Sequence, residues 1–325
     1  MLRDFAALVT GGAGFIGSHL AEELLNRSCN VTVIDDFSSG RMENVERLVR
    51  GRRLSLVRDY LKNPRRLKGL VSRCDLIFHF AANPEVRVGQ TEPRVHFEEN
   101  VLSTFNLLEA VRQSRASKVL VFASTSTVYG DAVLIPTPED YGPLIPISTY
   151  GASKLASEAL IVSYAHTFGH RALILRLANI VGPRSNHGVI PDFVKKIRAN
   201  SEELEILGDG KQKKSYMYIS DLIEATMHLT DRFLESPSRT EIYNVGSNDS
   251  VSVAEIAGIV AKEMGCPRIR YRFTGGVNGG RGWKGDVKMM QLSVDKLLKT
   301  GFKIRHSSKQ AVQLTARKTV ENSRN

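Results

Sequence analysis

The sequence predicts an α/β protein, a doubly wound parallel sheet followed by a smaller α/β lobe. Three observations lead there. Short apolar runs alternate with amphipathic segments through the first half, the pattern of βαβ units and a parallel sheet. The first run leads straight into Gly11-Gly12-Ala13-Gly14-Phe15-Ile16-Gly17, glycines set where a strand turns into a helix. After Asn179 the alternation gives way to shorter elements between glycine- and proline-rich loops, Gly182-Pro183-Arg184 and Gly208-Asp209-Gly210 among them.

The apolar runs predict strands over 7–10, 31–35, 54–57, 76–80, 119–123 and 173–177. They are continuous, as expected when helices cover both faces of the sheet. Helical patterns lie between them at 16–26, 45–50, 100–114 and 153–168. Ser252 followed by Glu255 is a capping box, opening a helix to about Met264 that Gly265 closes. The glycine-dense stretch 275–285, which carries Trp283, reads as a loop. The expected division is a first domain of 1–179 plus about 216–247, and a substrate lobe of about 180–215 and 248–325.

A chain of 325 residues with 42% apolar residues can bury a large core. Cys29, Cys74 and Cys266 are widely spaced with no Cys-x-x-Cys, which argues against a structural zinc site or a disulfide framework. No metal is expected. The first strand begins almost at once, without a signal-peptide pattern. The most apolar region, 159–182, is broken by His166, His170, Arg171 and Arg176, so no membrane span is expected. These features predict a soluble cytoplasmic protein. The net charge of +11 gathers at 41–73, with Arg47, Arg50, Arg52, Arg53, Arg65 and Arg66, and after Phe302. Such a field attracts polyphosphates and nucleic acids alike. Neither stretch interleaves aromatics or carries a nucleic-acid fold signature. Solvated helix faces and a basic tail account for it, and no nucleic-acid partner is expected.

Gly11, Gly14 and Gly17 form Gly-x-x-Gly-x-x-Gly between a strand and a helix. Glycine allows the tight turn, the close approach of a pyrophosphate and close helix–strand packing. Free N–H groups at the helix start, from Phe15 and Ile16 onward, favour phosphate. Asp35 ends the second strand, where an acid can accept hydrogen bonds from an adenosine ribose. That carboxylate would repel a 2′-phosphate, favouring NAD over NADP, although nearby Arg41 leaves NADP open. A turn aspartate before Ser38-Ser39-Gly40 is the alternative reading of Asp35. Asp59-Tyr60 and Phe80-Ala81-Ala82-Asn83-Pro84 follow the third and fourth strands, on the sheet edge where ligands bind. Packing alone could explain the two alanines.

Tyr150-Gly-Ala-Ser-Lys154 puts a phenol and an ammonium at i and i+4, on one helical face. A free phenol, with a pKa of about 10, is a poor base at neutral pH; a nearby cation favours the phenolate. A core tyrosine and a surface lysine would look the same. Ser124, Thr125, Ser126 and Thr127 follow the fifth strand. Their hydroxyls could orient a substrate beside Tyr150, or serve as turn chemistry.

Together these residues resemble the extended short-chain dehydrogenase/reductase superfamily, in particular the nucleotide-sugar epimerases of its NAD-dependent epimerase/dehydratase family. The likeness runs through Thr10–Gly17, Val33-Ile34-Asp35-Asp36 with Ser38-Ser39-Gly40, His79-Phe80-Ala81-Ala82 and Val128-Tyr129-Gly130. It continues through Tyr150–Lys154, Leu175-Arg176-Leu177-Ala178-Asn179, Gly188–Phe193 and Gly208–Gln212. The resemblance implies a Rossmann-type cofactor domain holding NAD through the glycine loop, Asp35, Asp36, Ser38, Ser39, Gly40, Asp59, Tyr60, Phe80, Ala81 and Ala82. It makes Tyr150 the catalytic base. It makes Lys154 that base's partner and a nicotinamide-ribose ligand, and Thr125 the catalytic hydroxyl. It sets Asn100 near the cofactor, unless that residue only caps its helix. It places Ser124, Asn179, Val189, Ile190 and Phe193 against a UDP-sugar.

Within the resemblance, sugar 4,6-dehydratases carry an acidic pair after the catalytic hydroxyl. UDP-glucuronate decarboxylases carry a glutamate before Val-Tyr-Gly. This chain has Ser126-Thr127, which points to reversible oxidation at C4 alone and thus to UDP-glucose/UDP-galactose 4-epimerisation. Another nucleotide-sugar dehydratase, decarboxylase or reductase is the second expectation, and a non-catalytic NAD-binding regulator a third. The family's diphosphate-clamping arginine is replaced by Lys214, with Ser215 following; Arg281, ahead of Gly285-Asp286, is a candidate second clamp. The resemblance also implies a homodimer packed through 100–114 and 153–168.

Overall fold

The computed structural model describes residues 4–51, 53–114 and 116–322; Arg52 of the basic stretch lies outside them. The chain divides into two compact units. The first comprises Met1–Val128, Thr149–Arg176 and Ile223–Tyr243; the second comprises Tyr129–Ser148, Leu177–Leu222 and Asn244–Asn325. Tyr129–Ser148, Leu177–Asn179 and both ends of the 216–247 segment, 216–222 and 244–247, all expected in the first domain, fall in the second unit.

The first unit is built on a seven-stranded parallel sheet flanked by helices. Six strands are β1 (Ala6–Thr10), β2 (Asn30–Asp35), β3 (Leu54–Arg58), β4 (Leu76–His79), β5 (Val119–Thr125) and β6 (Arg171–Leu177). With Thr240–Val245 at one edge the order is Thr240–Val245, β6, β5, β4, β1, β2, β3. From β1 the chain runs to β2 and β3 on one side and from β4 to β5 and β6 on the other, so the order reverses between the paired neighbours β1 and β4. Loops at the carboxyl ends of these two neighbours flank a crevice at such a switch point. Helix α1 (Phe15–Asn26) follows β1. Leu8, Ile77, Leu107, Phe122, Ile161 and Ile174 are among the residues forming one buried cluster of this unit. The predicted strands agree with the observed ones to within two residues at either end.

Two helices differ from expectation. The predicted 100–114 element is the end of a longer helical run that begins at Pro93 and passes through a π-helical stretch, Phe97–Leu102, into Ser103–Arg112. The Tyr150 helix runs Thr149–Phe168, so it starts ahead of Tyr150. The second unit packs Val189–Ala199, Val253–Glu263 and Ser308–Asn322 around its own apolar core. The Ser252–Glu255 capping box is present, and Gly265 takes φ +77° just past the helix end. Among the described residues no helix is long and apolar enough to cross a membrane.

Candidate active site

Gly11 leaves β1 with φ +68°, in the left-handed region that glycine tolerates. A Cβ on Gly11 would lie 2.8 Å from the Ala81 backbone, and one on Gly17 would lie 2.1 Å from the Gly11 carbonyl oxygen. No side chain caps the start of α1, and no acid stands in its first turn. Its N–H groups and positive dipole end are therefore available to an anion. These features fit the diphosphate of a dinucleotide.

Asp35 is buried at the end of β2. Its carboxylate accepts from the N–H of Ala13 at 2.8 Å and from the N–H of Phe37 at 2.8 Å. It thus ties the glycine loop to the following turn; burial pushes its pKa up while those N–H groups pull it back. Gly40 packs directly over it, because a Cβ there would meet the Asp35 carboxylate at 2.6 Å. Asp36 accepts from the N–H and hydroxyl of Ser38, and Ser39 is exposed. Asp59 pairs with Arg66 at 3.2 Å, while Tyr60 is 58% exposed.

His79 locks the loop after β4 to the glycine loop. Thr104 donates to the Asn100 carbonyl at 2.6 Å, so it accepts from His79 Nε2 at 2.9 Å. His79 Nδ1 then accepts from the Thr10 hydroxyl at 2.8 Å. The Thr10 oxygen in turn accepts from the N–H of Ala81 at 3.2 Å. Full burial, with Lys154 nearby, pushes His79 down to about 3, so the imidazole is neutral. Phe80 and Ala81 are thereby fixed beside the glycine loop, with Ala82 following. Asn100 is no helix cap: it lies inside the π-helical stretch, buried. Its amide accepts from the N–H of Asn83 at 2.8 Å and donates to Ser153 at 2.9 Å.

Thr125, Tyr150 and Lys154 come together in the first unit. The Tyr150 phenol is hydrogen-bonded to the Thr125 hydroxyl, and Thr127 donates to that same oxygen at 3.2 Å. Lys154 is 2% exposed, its ammonium 4.3 Å from the Phe122 ring centroid. The expected lowering of the phenol does not occur in the chain by itself. Burial pushes Tyr150 up to about 12, against the Thr125 hydrogen bond. Burial likewise pushes Lys154 down to about 7, with Glu158 opposing the fall. Tyr150 is half-buried and Lys154 buried, and loss of water disfavours the charged form of each.

Ser124 is not beside Thr125's partners. Ser124 instead donates to Glu158, two turns beyond Tyr150 on the same helix. Glu158 in turn forms a buried pair with Arg176 at 2.8 Å. Neither Glu158 nor Arg176 was expected in the site. The signal for Glu158 is its place one turn beyond Lys154, completing Tyr-x-x-x-Lys-x-x-x-Glu.

In the second unit several expected ligands are otherwise engaged. Asn179 donates to the Ser215 carbonyl at 3.1 Å. Ile190 and Phe193 are buried in this unit's core with Val194 and Ile197, the i, i+3, i+4, i+7 face of an amphipathic helix; Val189 packs against the same core. Lys214 pairs with Asp286 at 2.6 Å, and Ser215 is buried, donating to the Ser247 carbonyl. Arg281 grips Asp131 with two nitrogens at 2.9 Å each and also donates to the Asp286 carbonyl. Neither cation is a free clamp, since a carboxylate of this unit already faces each one.

Residues 7–246 match the model of the NAD dependent epimerase/dehydratase family. The chain is 33% identical over 277 residues to a UDP-glucose 4-epimerase of Corynebacterium glutamicum, covering 80% of each. It is 36% identical over 259 residues to a UDP-N-acetyl-alpha-D-glucosaminuronate decarboxylase of Bacillus cytotoxicus, covering 77% of each. The crystal structure of a UDP-galactose 4-epimerase superposes with a TM-score of 0.87 at 46% identity, covering 98% of this chain and 99% of that one. A glycine cradle built for a dinucleotide, a Thr–Tyr–Lys cluster beyond it, and these likenesses lead to one conclusion: the chain belongs to the NAD-dependent epimerase/dehydratase family.

Proposed function

We propose that the protein epimerises a UDP-hexose at C4, interconverting UDP-galactose and UDP-glucose. The glycine loop, the uncapped start of α1 and Asp35 would hold NAD, which when bound accepts a hydride from the sugar carbon and returns it. Tyr150 takes the sugar O4 proton and later gives it back. The Thr125 hydroxyl, already bonded to the phenol, bridges to the substrate oxygen. Lys154, one turn along the helix and pushed down to about 7, supplies positive charge to a phenolate and exchanges its own proton near neutral pH. The sugar carbon passes through a planar ketone, and return to its opposite face inverts C4.

The observation that carries the reading is Ser126-Thr127 beside Thr125. Elimination of water or activation of a carboxylate calls for a further acid or base, and hydroxyls stand there instead, Thr127 turned onto Thr125 itself. A second reading is decarboxylation of a UDP-hexuronate, favoured by the 36% identity to the Bacillus cytotoxicus enzyme. We further propose a homodimer through the helices Ser103–Arg112 and Thr149–Phe168. Phe105 and Phe168 support it, being 39% and 43% exposed there.

The test is to incubate the purified protein with UDP-galactose, adding no cofactor, and to look for UDP-glucose. No conversion of this sugar or of its N-acetyl analogue would overturn the epimerase reading. Release of CO2 from a UDP-hexuronate would establish the second one. The Tyr150→Phe protein should still bind NAD while turnover falls by at least about 10²–10⁴-fold.

A further inference from the structure

The phenol of Tyr150 is held on one side by Thr125. A second contact comes from a residue outside every motif discussed above. His96 ends the short helix Pro93–His96 and is 1% exposed. Its ring meets the Tyr150 ring edge to face, with centroids 5.7 Å apart and planes at 61°. Its Nε2 lies 3.2 Å from the Glu85 carbonyl oxygen. A carbonyl can only accept, so Nε2 carries the hydrogen. In the neutral ring Nδ1 is then the acceptor, and the Thr149 hydroxyl donates to it at 2.9 Å.

Thr149 is the first residue of the Tyr150 helix. His96 thus bridges that helix start and the turn Val86–Gln90, which Glu85 caps. The turn closes tightly over this bridge. A Cβ on Gly89 would lie 1.9 Å from the Thr149 hydroxyl oxygen and 2.8 Å from His96 Nδ1. Burial lowers the affinity of His96 for a second proton, against the pull of the Glu85 and Glu99 carboxylates. The ring is therefore held neutral, with Nε2–H donating and Nδ1 accepting.

We propose that His96 is a positioning residue for Tyr150: its imidazole ties the first residue of the Tyr150 helix to the Glu85–Gln90 turn and braces the phenol ring by its edge. This rests on the reading above that Tyr150 moves the substrate proton. Its effect is geometric, and a displacement of about 1 Å from the productive position can cost about 10²-fold in rate.

The test uses His96→Phe, which keeps a ring but neither hydrogen bond, and Thr149→Val, the milder change, which removes only the donor to Nδ1. Each should lower kcat by about 10–100-fold with KM within about threefold. The double variant should be no worse than the poorer single one, since the two residues act as one unit. Thr149→Ser, which keeps the hydroxyl, should recover kcat to within about threefold of the parent. A second readout needs no turnover. With tyrosine labelled at Cζ by ¹³C, the Tyr150 resonance, identified by its loss in Tyr150→Phe, should shift or split in His96→Phe and Thr149→Val. An unmoved resonance in both variants overturns the proposal, whether or not the protein proves to be an epimerase. So does an unchanged kcat in both, where turnover is measurable.

Discussion

Replacing Lys154 with methionine should stabilise the protein at neutral and acidic pH while removing its turnover. The magnitude follows from the burial of the ammonium. Lys154 is 2% exposed, and loss of water pushes its pKa from 10.5 to about 7, with Glu158 opposing. At about 1.4 kcal/mol for each pH unit, that fall corresponds to about 5 kcal/mol of destabilisation when the lysine is charged. A gain of up to about 5 kcal/mol is expected for the variant below pH 7. Between pH 7 and 10.5 the unfolded chain binds the proton that the folded chain has lost, so parent stability rises with pH. The advantage of Lys154→Met should therefore shrink across that window and be nearly gone at its upper end. Urea unfolding of both proteins from pH 6 to pH 10 measures it. Midpoints that run parallel over the whole range would show that the buried ammonium carries no such cost, refuting the reasoning.

Glu158→Gln should destabilise by about 3–5 kcal/mol, because it leaves Arg176 buried without its carboxylate; a urea-measured loss under about 1 kcal/mol would contradict this. The same change removes the charge that props up Lys154, so the alkaline limb of any pH–rate profile should move to lower pH. Gly17→Ala places a Cβ 2.1 Å from the Gly11 carbonyl oxygen and should weaken NAD binding by more than about tenfold in calorimetric titration. Gly69→Ala, in the helix Pro64–Val71 with open space around it, should instead stabilise by about 0.5–1 kcal/mol, which thermal unfolding would register. Stability should also fall as pH drops from 6.5 towards 3, since the folded chain holds His79 neutral while the unfolded chain protonates it; acid titration of the parent followed by circular dichroism tests the direction.

The parts of this protein legible in its sequence are those set by neighbours along the chain. The glycine loop between β1 and α1, the i and i+4 spacing of Tyr150 and Lys154, and the Ser252–Glu255 capping box each need only a few consecutive residues. So do the apolar runs, whose continuity announced a sheet covered on both faces. What pairs with those residues across the fold was decided elsewhere. Ser124 was taken up by Glu158 of the Tyr150 helix, and the helix periodicity of Val189–Ala199 turned Ile190 and Phe193 into core. Asp131 reached Arg281 across 150 residues of chain, and His96 reached Thr149 across 53. The charge state of the central pair belongs to this second class as well. Spacing alone sets a lysine near a tyrosine and suggests a lowered phenol. Only the packed fold shows how far Lys154 is buried and Tyr150 half-buried, and that loss of water moves Tyr150 up to about 12 and Lys154 down to about 7. Local geometry follows from sequence because bonded neighbours have few conformations; burial and long-range partners do not, because they depend on every element that closes over them.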